Sequence, residues 1–269
     1  TMANQSASIY LTVGSVDWTT NPASNNYGTS RYLNGQTRAY AWSLRTISQY
    51  VGIAPTGDGL ASDYASLLSN NMSHLKTLKD GVSPSGTGYI YEYELAAYDS
   101  ANPGFVAPWM QHFFIQSLGS GSDLEPLSNM STYNDVRDYM YKGAVGILGD
   151  SNGYCFTEAS QYTIRSTNGN NYNPNTWFKT WSQIYSATFP TPPVCGNTLH
   201  GGSAGIPSGA SSGYWGNLLP AIAYAVDHSA PGAASSWSRL TNASNWSDIV
   251  NSGFGDVPVW GIVPRTGYA

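Results

Sequence analysis

Charge is what this sequence has least of. Asp, Glu, Lys and Arg together make up 10% of the 269 residues, against about a quarter in an ordinary soluble domain. The eleven Lys and Arg and a net charge of −5 exclude the basic surface that nucleic-acid binding requires. No apolar run reaches the length of a membrane-spanning helix. Cysteine is nearly absent, with only Cys155 and Cys195, and neither has a second Cys or a His in ligand register, so no metal or cofactor motif is expected. Acids suited to chemistry are also few: the four glutamates are Glu92, Glu94, Glu125 and Glu158.

What the chain has instead is 29 Gly, 20 Tyr and 9 Trp, with many Ser and Asn. The aromatics and the low net charge rule out a disordered composition. Hydroxyls and amides must carry solubility, a composition common in extracellular and sugar-handling proteins. Both cysteines sit in Gly/Pro/Asn-rich context. A Cys155–Cys195 disulfide would close a loop of about 40 residues and contribute roughly 4 kcal/mol by chain entropy; it implies an oxidising compartment, hence a secreted or cell-surface location.

The chain is organised around Gln36–Val51, QTRAYAWSLRTISQYV. Tyr40, Leu44, Ile47 and Val51 form an apolar helical stripe. Arg38, Trp42 and Arg45 fall about 180° away, with no acid inside the segment. Two readings stand: Arg–Trp stacks paired to acids elsewhere, or a helix lining a polar, aromatic cavity for an anionic or polyhydroxylated ligand.

Further helices are expected at Leu60–Leu78, capped by Asp58, from Pro108 to Leu118 with Pro at the first position, and at Thr132–Leu148. Others are expected at Asn175–Phe189, Asn217–His228 and from Pro231 to about Asn242. Trp109 is expected in the core. Tyr89–Tyr98 reads as extended at period 2, and long Gly/Ser/Asn-rich loops join the elements. The fold class is mostly α: an array of paired antiparallel helices, with no composition shift to mark a boundary within 1–269.

The segments RAYAWSLRTIS, PGFVAPWMQHFFIQSLG and NLLPAIAYAVD resemble pieces of secreted bacterial proteins with an (α/α) toroid, an architecture shared by polysaccharide lyases and several glycoside hydrolases. The resemblance is spread over about two thirds of the chain and assigns no single family. It implies an incomplete toroid, either a shortened member or a fragment of a longer chain, whose partner is a polysaccharide or oligosaccharide.

Chemistry is sought among acids and histidines. Glu92 and Glu94 lie among tyrosines at a spacing that can place two carboxylates together for hydrolysis; pairing to Arg38 or Arg45 is the structural alternative. Asp150 and Glu158, flanking Cys155, are a weaker pair. His112 and His200 are candidate bases for elimination beside a uronate carboxylate. Gly201–Gly205 matches G-x-S-x-G but lacks the strand and helix that a nucleophile elbow needs. Trp42, Trp109, Tyr214 and Trp215 offer flat faces for sugar stacking, with core packing the alternative for each and the stronger one for Trp109. The expected site therefore gathers Arg38, Trp42, Arg45, Glu92, Glu94 and His112, with Tyr214 and Trp215 at its rim. The alternative is a non-catalytic glycan-binding module or a structural subunit of an extracellular assembly.

Overall fold

A computed structural model describes residues 37–81, 86–90, 104–149, 153–168, 176–200, 215–251 and 261–265. The described residues form eight α-helices: α1 (Thr37–Ile53), α2 (Gly59–Asp80), α3 (Pro108–Ser122), α4 (Ser131–Ile147), α5 (Trp181–Thr188), α6 (Leu218–Asp227), α7 (Ala233–Thr241) and α8 (Trp246–Ile249). One antiparallel pair joins β1 (Phe105–Val106) to β2 (Ile164–Arg165). The chain is thus mostly helical, as its periodicity predicts. No described helix is long and apolar enough to cross a membrane.

Local chemistry sets several helix starts. Asp58 accepts from the Ala61 amide at 3.1 Å and so caps α2. The Tyr50 hydroxyl donates to the same carboxylate, tying the end of α1 to the start of α2. Pro108 opens α3 at a position where its missing N–H costs nothing. The expected helix from Asn175 starts instead at Trp181. Thr180 and Gln183 form a capping box there, and Thr167 bridges to Trp177 in an antiparallel pairing that keeps the preceding residues extended. The β1–β2 pair and α8 were not expected; strands of two residues and a helix of four leave no periodic signal. Tyr89 and Ile90 are non-helical, and the rest of the expected Tyr89–Tyr98 strand lies outside the described residues.

Contacts fix the direction of each helix. Arg38 lies over Trp109, Trp42 meets Phe113, and Gly52 abuts Leu124, so α1 and α3 rise together and are parallel. Gly119 abuts Tyr224 and Ser122 meets His228, which makes α3 and α6 parallel. Ile115 lies against Gly143 and Gly121 against Tyr133, so α4 runs the other way beside α3. Ser236 donates to the Val145 carbonyl and Arg239 to that of Gly149, placing α7 parallel to α4. The result is two layers: α1, α3 and α6 in one, and α2, α4 and α7 in the other, connected as three successive hairpins. One hydrophobic cluster runs between them, from Leu44 and Leu68 through Phe114 and Met140 to Ile222 and Leu240.

The α3–α6 approach depends on a missing side chain. A Cβ at Gly119 would lie 2.6 Å from both Cβ and Cγ of Tyr224, the base of a ring that cannot swing aside. We therefore expect Gly119→Ala to destabilise the protein by about 1–3 kcal/mol despite alanine's better helix propensity, read as a lowered urea midpoint.

Candidate functional site

On α3, Phe113 and Phe114 face α1, Ile115 faces α4 and Gly119 faces α6. By helical phase this leaves Trp109, Gln116 and Ser120 on the side turned away from the second layer. The Arg38/Trp42/Arg45 stripe of α1 borders that side. The face carries two cation–aromatic stacks: the Arg45 guanidinium 4.7 Å above the Trp42 ring, and the Arg38 guanidinium 5.6 Å above Trp109. Trp42 is braced edge-on by Phe113 at 4.9 Å yet remains 38% exposed. Trp109 is half-buried, not a core residue, because its ring is sandwiched between Arg38 and a stacked Tyr162, 6.2 Å away.

Arg45 is the unusual member. It is half-buried, its Nε is inaccessible, and it has neither a hydrogen bond nor an ion pair among the described residues. The register that sets Arg38 beside Trp109 and Trp42 beside Phe113 brings Arg45 level with Gln116, which is 5% exposed and whose Oε1 is also buried without a partner. Tyr224 of α6 feels the Arg45 charge from the other flank. A donor and an acceptor that both lack partners thus lie at one level of the face, where burial makes each of them costly.

The remaining expected residues fall in different places. Glu92, Glu94 and Tyr214 lie outside the described residues. His112 is inside the protein, with Nε2 hydrogen-bonded to the Tyr89 hydroxyl at 2.7 Å. Burial pushes its imidazole down to about 3, so it is neutral in the fold. Its position on α3 points it at Tyr89 rather than into the open face. Trp215, expected at a rim, is 5% exposed, because it sits in the turn that leads into α6 and packs into the core.

The disulfide forms as expected, Cys155 to Cys195 with Cα atoms 5.5 Å apart. It brings together two residues that sequence spacing treats separately. The Glu158 carboxylate is 5% exposed and its Oε1 lies 3.1 Å from His200 Nδ1, while the His200 side chain is 54% exposed. Gln161 Nε2 donates to the second carboxylate oxygen. The segment is zipped beside the disulfide: Gly196 N donates to Thr157 Oγ1, His200 N to the Thr157 carbonyl, and Ser160 Oγ to the His200 carbonyl. The signal available in the sequence was indirect: once the cysteines pair, residues three and five positions beyond them become neighbours.

Two outcomes follow. His112 binds a proton in the unfolded chain below its ordinary value of 6.5 but in the fold only near 3. Its contribution is therefore complete above pH 6.5 and is lost as pH falls towards 3, at roughly 1.4 kcal/mol per pH unit. A His112→Gln variant should show a shallower fall in melting temperature across that window. Replacing both cysteines by serine should cost about 2–4 kcal/mol, measured by chemical unfolding.

No protein family, curated protein or solved structure matches this chain.

Proposed function

We propose that this chain is a secreted polysaccharide-active protein, a lyase or a glycoside hydrolase, that binds an acidic glycan along the open face of α1 and α3. The observation that carries this reading is Arg45: a half-buried guanidinium stacked on an exposed tryptophan, with no acid paired to it among the described residues. A sugar ring carrying a carboxylate meets both needs, since the ring's C–H face packs on an aromatic and the carboxylate takes a charge-assisted contact from Arg. The parallel α1, α3 and α6 also put three positive helix ends at one end of the layer, which favours an anion there. Three hairpins with parallel members in each layer suit an incomplete (α/α) toroid. The disulfide supports an oxidising, extracytoplasmic location.

A second reading, a glycan-binding module without catalysis, is favoured by the burial of His112, which removes one expected base from contact with a ligand.

The test is binding. Titration calorimetry against uronate-containing polysaccharides and neutral dextran should give salt-sensitive binding to the former only. Arg45→Gln should lower that affinity by about tenfold or more while changing the melting temperature little, because the wild-type group has no hydrogen bond or ion pair among the described residues and the variant loses only an exposed stack on Trp42. Equal affinity for dextran, or an Arg45→Gln variant that binds as the parent does, would sink the reading.

A further inference from the structure

The two ring nitrogens of His200 have unequal surroundings. Nδ1 is held by Glu158, whose carboxylate is almost wholly buried, whereas Nε2 belongs to a side chain that is 54% exposed and has no hydrogen-bond partner on that nitrogen among the described residues. A carboxylate beside Nδ1 keeps the proton on that nitrogen and leaves the Nε2 lone pair directed outward, which is the state of a general base. Glu158 is itself held in place: Gln161 occupies its other oxygen, and the Tyr154 hydroxyl donates to its carbonyl.

A chain of contacts connects the pair to the Arg/aromatic face. Glu158 is bonded to Gln161, the next residue, Tyr162, stacks on Trp109, and Trp109 lies under Arg38. The β1–β2 pairing secures this connection, because it fastens Ile164 and Arg165 to the two residues just ahead of α3. The segment that follows Glu158 is therefore fastened to the start of α3.

We propose that His200 is the catalytic base of an elimination on a uronate-containing polysaccharide, with Glu158 as its positioning residue. This inference rests on the glycan reading above and assigns the chemistry to a pair outside the expected site. Nε2 removes the proton from the ring carbon next to the carboxylate. The electron pair of that C–H bond forms a carbon–carbon double bond, and the bond from the adjoining carbon to the glycosidic oxygen breaks. The proton now on Nε2 passes to the departing oxygen, which leaves as an alcohol. Charge that builds on the substrate carboxylate is met by the arginines. No oxidant or second reactant is needed.

The groups around the carboxylate do not compete for the proton. Tyr154 and Tyr185 are held above their ordinary range, by burial first and by Glu158 second, and stay protonated. Ser244 and Asn245 present a hydroxyl and an amide to Thr198 and Leu199. Arg239 lies over Phe156, one turn away.

The experiment incubates the purified chain with alginate, polygalacturonate and a glycosaminoglycan, with dextran as control. It follows the ultraviolet absorbance of unsaturated ends, new reducing ends and, separately, binding. We expect unsaturated ends from the parent. His200→Ala should lower turnover by about 100-fold or more with affinity and melting temperature unchanged. Glu158→Gln keeps an acceptor for Nδ1 but removes the anion. It should lower kcat with little change in KM or in melting temperature; a purely structural role would lower the melting temperature and leave kcat of the folded protein unchanged. If Glu158→Gln fails to fold, His200→Ala decides alone, since that side chain is exposed. Full turnover by His200→Ala overturns the proposal. Reducing ends without unsaturation, or uronate binding without turnover, overturn it and leave the glycan reading intact. A parent that binds none of the polymers overturns both.

Discussion

Everything in the fold is arranged around the burial of α3. Thirteen of its fifteen residues are buried, so the helix needs neighbours on almost every side, and α1, α4 and α6 supply them. Its polar residues then have to be satisfied inside the packing. Gln111 Nε2 donates to the Ile90 carbonyl, His112 bonds Tyr89, and Ser117 donates back to the Phe113 carbonyl. Gln111 Oε1, His112 Nδ1 and Gln116 Oε1 are left without a hydrogen-bond partner among the described residues, and Gln116 faces the side that no described helix covers. The candidate binding face is thus the direction in which α3 lacks a helical neighbour, and its chemistry follows from what α1 presents along the same edge.

The scarcity of charge gives that face its meaning. Most described ion pairs lie near helix ends. Lys76 and Lys79 share Asp80 and Asp135 where α2 meets α4, and Arg265 bridges Asp123 and Asp227 beside α3 and α6. The Lys76 and Lys79 contacts reach exposed or half-exposed carboxylates and contribute little each. The Arg265 bridge is different, because the Asp227 side chain is only 3% exposed and fastens residues 261–265 to the end of α6. In a chain so economical with charge, a guanidinium held on Trp42 with no acid beside it among the described residues stands apart from these pairs. The same economy marks Glu158, a buried carboxylate whose described partners are a histidine and an amide.

Legibility in the sequence followed the length of the signal. α2 and α4 were readable to within two residues because long apolar stripes and a capping aspartate marked them, and α3 was readable from its proline. α5 was over-extended because Trp177, Trp181 and Ile184 share a helical spacing although a β-bridge holds the first of them. Trp109 and Trp215 were placed the wrong way round for a related reason. Spacing shows which face a ring is on, but whether that face is covered depends on elements far away in the chain, here Tyr162 for one and the core around α6 for the other.

The amino-acid sequence by itself determined the helical class and the opposed apolar and Arg/Trp faces of α1, and it favoured paired helices and a Cys155–Cys195 disulfide. The first two follow from local periodicity, the others from helix spacing and from the context of the two cysteines. Only the tertiary structure decided that α1 and α3 are parallel neighbours, that His112 is a core residue and that Glu158 meets His200. Those outcomes depend on which side chains are desolvated together, and desolvation is set by the packing of segments dozens of residues apart.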